Sequence, residues 1–173
     1  RRQRQMCIRD RTMTVFAMDL ARWIVESEPS TVFSILKWQR LKDLGTTGYT
    51  LTATIKFKNG VMWSSEFSGS VSESLGSPMR LEILGEKGGA VVVDGPQRIL
   101  FVGKRKEEKK EWQLKLERPE RWGHKGQDEH FVRDVVGKGK DPAVTLKDAK
   151  KAFQMSLALL ESSKIGKQVR VRL

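Results

Sequence analysis

The sequence predicts an α+β domain, on three observations. Residues 145–166 read as a capped amphipathic helix that returns into a short alternating strand. A second amphipathic segment lies near residues 16–24, with apolar residues at helical steps. Between the two, runs of alternating apolar and polar residues are punctuated by glycine-containing turns, the period-2 pattern of half-buried strands. A chain of 173 residues is long enough for one domain with a sizeable core.

In chain order, residues 1–11 come first, with five arginines, one aspartate, no hydrophobic period and no helix cap. They abut the first helix without a linker and resemble the translation of a sequencing adaptor, so they are expected to add nothing to the domain, which then occupies 12–173. The alternatives are a basic arm that binds nucleic acid and a targeting peptide. A transit peptide would be longer, richer in serine and free of an acid such as Asp10. Phe16, Leu20, Trp23 and Ile24 then fall on one helical face, the expected buried stripe. Residues 28–32 lead into a strand.

Residues 49–57 alternate, Lys58-Asn59-Gly60 turn the chain, and residues 61–67 run back, which is a hairpin signal. Ile55, Phe57, Val61, Trp63 and Phe67 alternate with polar residues and predict a sheet with one exposed apolar face. Residues 79–84 and 90–94 are two further strands joined by a glycine-rich turn. Strands near 99–102 and 112–116 flank a lysine- and glutamate-rich tip at 104–111. Residues 127–136 form a short helix carrying His130, Phe131 and Val135. Residues 45–48 and 68–78 are loops.

The closing unit is the most complete. Pro142 ends what precedes it. Thr145 is a helix N-cap with Asp148 three residues on, a capping box. Leu146, Ala149, Ala152, Phe153, Leu157 and Leu160 fall at three- and four-residue steps and form the expected apolar stripe. Lys164 suits the negative pole of the helix dipole, Gly166 supplies a left-handed cap, and Val169 and Val171 alternate with Arg170 and Arg172 as a strand.

The formal charge is +12, of which residues 1–11 account for four, so the remainder is still basic. Acids interrupt the basic run at 104–111, and no helix-turn-helix, RNP or zinc spacing accompanies it; nucleic acid is therefore not an expected partner. Trp38, Trp63, Trp112 and Trp122 are expected to anchor a core or an interface rather than stack on sugars. The single cysteine offers no disulfide framework and fits a reducing, cytoplasmic setting. His124 and His130 lack a zinc-pair spacing and a third ligand, so no metal is expected. No stretch approaches the ~20 apolar residues of a membrane span.

The closing unit, with Pro142, Thr145, Asp148, Ala149, Glu161, Ser162, Gly166 and Val169, resembles the C-terminal signature of the glucose-fructose oxidoreductase and inositol dehydrogenase (Gfo/Idh/MocA) family. The resemblance extends collinearly over about residues 15–173, through Asp19, Arg22 and Trp23, the 58–60 turn and the 85–89 turn. It implies an open, mostly antiparallel sheet flanked by helices, the second domain of a two-domain enzyme. One face of that sheet would close the substrate site and the other would pack against a partner subunit, giving a homo-oligomer.

The resemblance also implies that NAD or NADP binds a preceding Rossmann domain, which this chain is expected to lack. Gly85, Gly88 and Gly89 lie between two strands, so they serve a turn and not a pyrophosphate. No cofactor-binding residue is expected here, and the chain is read as an N-terminally truncated fragment that is inactive by itself. The substrate implied is a sugar, cyclitol or related polyol.

Family members carry an acid-base histidine three residues before the position of Asp19, and an aspartate four residues before that histidine. Those positions are Phe16 and Thr12 here, and neither side chain can do the work: phenylalanine has no ionisable group, and threonine cannot stabilise an imidazolium. The expected substrate-facing residues are Phe16, Asp19 and His124. A non-catalytic binding or assembly protein of the same fold is the alternative.

Overall fold

A computed structural model of the chain describes residues 2–41, 46–68, 80–86, 90–94, 98–103, 107–113 and 123–173, with side chains from Thr14 onward except those of 40–41, 46–47 and 90–94. Trp122 and parts of the expected loops, including all of 69–78, fall outside the described residues. The chain divides into two compact units, residues 1–71 with 143–173, and residues 72–142.

The first unit is a four-stranded antiparallel sheet with two helices. Its elements are α1 (Arg2–Val25), β1 (Pro29–Leu41), β2 (Thr46–Phe57), β3 (Met62–Ser68), α3 (Leu146–Ile165) and β8 (Val169–Arg170), with sheet order β3-β2-β1-β8. The backbone of α1 is helical from Arg2, so the helix includes residues 2–11; their side chains are not described.

The expected hairpin is β2–β3. Phe57 N–H donates to Val61 O at 2.9 Å, and Gly60 takes φ 91°, a conformation strained for any residue with a Cβ. Asn59 in that turn donates through Nδ2 to Val25 O at 3.2 Å, which ties the hairpin to the end of α1. The closing unit also forms as read. Asp148 N–H donates to Thr145 Oγ1 at 3.3 Å, Thr145 N–H donates to Asp148 Oδ2 at 3.1 Å, and Gly166 caps α3 at φ 66°.

Register decides which face of the sheet is buried. Val32 pairs with Ile55, Ser34 with Ala53 and Leu36 with Leu51 on the side that carries the core. Ile55 and Phe57 are fully buried and Trp63 and Phe67 half-buried, so the apolar alternation of the hairpin faces the core and not solvent as expected; Val61 is exposed. The opposite face carries Thr50, Thr52, Thr54, Ser64 and Glu66, with Phe33, Ile35 and Met62 as its apolar members. β-Branched hydroxyl residues suit a pleated surface that stays wet. Trp38 lies on the outer third of β1, 41% exposed and tilted against Tyr49 at 5.7 Å between ring centroids.

Both helices sit rotated from the phase that the apolar residues predict. On α1 the buried residues are Thr14, Met18 and Ala21, while Phe16 is 69% and Trp23 76% exposed. On α3 they are Ala152, Met155, Ser156, Ala158, Leu159 and Ser162, while Leu146, Phe153 and Leu157 are exposed. Small side chains, with Met18, Met155 and Leu159, face the sheet, and Phe16, Trp23 and Phe153 are left on the outside.

Ser162 shows what fixes α3. Its hydroxyl accepts from Ser34 N–H at 3.0 Å and donates to Lys167 O at 2.7 Å, while the Ser34 hydroxyl donates to Leu159 O. These buried groups stitch the helix, the chain that follows it and β1 together.

The second unit holds another four-stranded antiparallel sheet, order β4-β5-β6-β7, from β4 (Arg80–Leu84), β5 (Ala90–Asp94), β6 (Arg98–Val102) and β7 (Lys109–Gln113). Lys109, Lys110 and Glu111 belong to β7 and not to the expected tip, because they pair with Val102, Phe101 and Leu100. Trp112 is exposed. α2 (His124–His130) runs on as a π-helical turn through Phe131–Val136. Phe131 is exposed and Val135 half-buried; the buried residue of this segment is Asp134.

Candidate functional site

The candidate site is built on α1, the helix that carries Phe16 and Asp19. Its C-terminal end is held by charge. Arg22, with a side chain 11% exposed, donates from Nε and Nη2 to the two Glu28 carboxylate oxygens, each at 3.1 Å. It also reaches Asp148 O at 3.3 Å and Asp148 Oδ1 at 3.5 Å on α3, and Asp19 Oδ1 at 3.6 Å on its own helix. Lys151 of α3 closes on Glu28 from the other side. Five charged groups from α1, the entry of β1 and α3 thus share one network.

The two-point geometry of a guanidinium on a carboxylate makes the Arg22–Glu28 pair directional as well as attractive. Burial by itself would lower the pKa of Arg22, but the Glu28 and Asp148 carboxylates outweigh it and raise the value. Hydrogen bonding from Arg22, then from Lys151, holds Glu28 below its ordinary range. Asp148 is lowered first by the Thr145 hydroxyl and N–H of the capping box and then by Arg22. All three therefore carry full charge at neutral pH.

This anchoring turns one stripe of α1 outward. Phe16, Leu20 and Trp23 lie on it, Asp19 sits at its flank half-buried, and the backbone position of Thr12 falls on the same stripe one turn before Phe16. Phe16 offers a ring with no proton to give or take. The Asp19 carboxylate can accept a hydrogen bond, and Arg22 is its cation. The stripe has no imidazole, so a general base with a pKa near neutrality is missing from its described side chains.

His124 is the first residue of α2, exposed, and lies in the second unit, so the three expected residues divide into a pair on α1 and a histidine elsewhere. In that unit the notable group is Asp134, whose side chain is 11% exposed. It accepts from Arg133 at 2.9 Å and Lys138 at 3.1 Å, with His130 at 3.4 Å and Lys140 at 3.9 Å. Arg133 and then Lys138 hold it well below the usual carboxylate range. Among the described residues no group of three or more His, Cys, Asp or Glu could hold a metal ion.

Sequence reading missed Glu28 as the partner of Arg22, six residues on, and missed Asp148 and Lys151 as the groups on α3 that meet this pair, because those contacts span more than a hundred residues of chain and leave no local spacing. It likewise missed Asp134. The one available signal there was a lone acid in a basic helix end, flanked by Arg133 and Lys138.

Comparison with known proteins agrees with this architecture. Residues 13–171 match a family described as the oxidoreductase family, C-terminal alpha/beta domain. A comparison with curated proteins finds no match. Among solved structures, a levoglucosan dehydrogenase in complex with NADH and L-sorbose superposes with a TM-score of 0.72 at 17% identity, covering 92% of this chain and 49% of that one.

An oxidoreductase from Agrobacterium radiobacter, solved with NAD+, L-tartaric acid and magnesium, gives 0.70 at 19%, covering 91% and 47%. An aldose-aldose oxidoreductase from Caulobacter crescentus, complexed with glycerol, gives 0.69 at 16%, covering 91% and 45%. The chain spans about half the length of these solved relatives. It belongs to the Gfo/Idh/MocA oxidoreductase family, as that family's C-terminal α/β domain.

Proposed function

We propose that the chain is the substrate-binding and oligomerisation half of an NAD(P)-dependent oxidoreductase that acts on a sugar, a cyclitol or a related polyol in the cytoplasm. The observation that carries this reading is the outward stripe of α1. Phe16 and Asp19, at positions where family members handle the substrate hydroxyl, stand on an exposed helical face inside the matched region. The apolar outer surface of α1 and α3 supports a further layer of the parent protein over this face. Relatives solved with NADH and L-sorbose, or with NAD+ and L-tartaric acid, support the cofactor and ligand class.

The described residues do not fit a dinucleotide. Every strand pairing is antiparallel, and no strand leads through a glycine-rich turn into a helix N-terminus that could hold a pyrophosphate. Cofactor binding is therefore assigned to the preceding half of the parent, and the fragment is inactive alone. Assembly uses a sheet face, for which the apolar rungs of the second sheet offer Leu81, Ile83, Ile99 and Phe101. The reading includes neither nucleic acid nor a membrane among the partners. No described helix is long and apolar enough to cross a bilayer.

Phe16 favours one second reading, a non-catalytic binding or assembly protein of the same fold. Fusing a family dinucleotide-binding domain ahead of Thr12 separates the two. The isolated chain should show no saturable NADH binding. The fusion should bind NADH and oxidise polyols slowly, since loss of a general base costs roughly 10²–10⁴-fold. Phe16→His with Thr12→Asp should then raise kcat. A fusion that binds NADH and stays inert with both substitutions would favour the non-catalytic reading. Fast turnover that ignores residues 12 and 16 would place the base elsewhere, with His124 the first to test.

A further inference from the structure

Hydrophobic burial does not explain the rotation of α1. The helix turns Met18 and Ala21 into the core and leaves Phe16 and Trp23, which have far more apolar surface, outside. A roll of about half a turn would exchange the two sets, and burial of the aromatic pair would be worth more. Something other than apolar area selects the observed face.

Arg22 lies at the edge between the two stripes, and its position is the discriminating one. In the observed rotation its guanidinium meets both oxygens of Glu28 and the carbonyl and carboxylate of Asp148, while Lys151 completes the charge balance on Glu28. In the rolled state Arg22 would be carried away from α3, leaving Glu28 and Lys151 with a half-buried pair that lacks its second cation. Partly buried ion pairs are weak contributors to stability but strong selectors of register, because breaking one strands the partner's charge.

We propose that the Arg22–Glu28–Lys151–Asp148 network sets the rotational register of α1 against its hydrophobic preference, and so keeps the face of Phe16, Asp19 and Trp23 turned outward. Arg22 is a positioning residue. The inference concerns this chain's own helix and holds or fails independently of the cofactor and substrate reading.

The test follows the exposure of Trp23 in the 173-residue chain, labelled with 5-fluorotryptophan and assigned through Trp23→Phe. In the unmodified chain the Trp23 fluorine resonance should respond strongly to a soluble paramagnetic quencher. In Glu28→Gln, with helix content retained by circular dichroism, that response should fall severalfold, and Arg22→Lys, which keeps the charge, should lie between. Adding Trp23→Lys to Glu28→Gln penalises the rolled state, since a lysine resists burial, and should return the Met18 methyl resonance to its place in the unmodified chain.

A folded Glu28→Gln chain whose Trp23 stays as accessible as before would overturn the proposal. If Glu28→Gln unfolds outright, the Arg22→Lys chain decides: a loss of Trp23 accessibility there supports the register role. Unchanged accessibility means that the network only stabilises, and the proposal is wrong.

Discussion

Two four-stranded antiparallel sheets of this chain have opposite fates. In the unit of residues 1–71 and 143–173, α1 and α3 cover one face of the sheet, and Met18, Val32, Leu51, Ile55, Phe57, Met155 and Leu159 are sealed from water. In the unit of residues 72–142 the apolar rungs, Leu81 with Ile99 and Ile83 with Phe101, are only half-buried, and no apolar side chain among the described residues is fully buried. Strand pairing alone does not make a core. A sheet gains its hydrophobic stabilisation from the layer laid against it, and the described residues supply that layer for one sheet.

The largest test of this contrast is a pair of core truncations. Leu159→Ala should destabilise the chain by about 3 kcal/mol in urea unfolding, since it empties a fully buried site. Ile99→Ala, at a half-buried site, should cost about 1 kcal/mol or less. Equal costs would mean that the second unit has a core of its own.

Next is Ser162→Ala, which removes only the hydroxyl that serves both Ser34 N–H and Lys167 O. The loss of both partners in a buried position should cost about 1–3 kcal/mol. A neutral effect would show that the polar stitch between α3 and β1 is dispensable.

Acid sharpens the comparison through Glu28. Its pKa is lowered in the folded state from an ordinary 4.5, so the unfolded chain binds protons first as pH falls. The contribution is complete above about 4.5 and is lost progressively as pH drops through the folded value. The thermal midpoint should therefore decline from pH 6 to pH 3, and Glu28→Gln should flatten that decline, modestly because the group is partly exposed.

The smallest effect belongs to Glu26, which ends α1 at φ 51°, a left-handed conformation that penalises a Cβ. Glu26→Gly should stabilise by about 0.5–1 kcal/mol, read as a rise in the urea midpoint.

Much of the fold was legible because its signals are local. The Thr145–Asp148 box, the Gly166 stop and the Asn59-Gly60 turn each depend on residues within a few positions of one another, and each formed as read. The rotation of the helices was not legible. Both α1 and α3 have apolar residues around most of their circumference, so period alone cannot say whether Phe16 or Met18 faces the sheet, nor Phe153 or Met155. The choice is made by polar groups that the apolar period does not weigh: Glu28, six residues on, and the distant Asp148 around Arg22, and the distant Ser34 beside Ser162. The same holds for the site. Phe16 and Asp19 could be placed on one helix from spacing, but that their face stays open depends on those long-range contacts.

Residue-resolved native-state hydrogen exchange measures the contrast between the two halves most directly. Amides of β1, β2 and α3 around Val32, Ile55 and Leu159 should exchange only through global unfolding, while those of β4–β7 should exchange through a lower-energy opening that leaves the first unit protected. Uniform protection across both sheets, closing to the same free energy, would contradict this contrast between the two units.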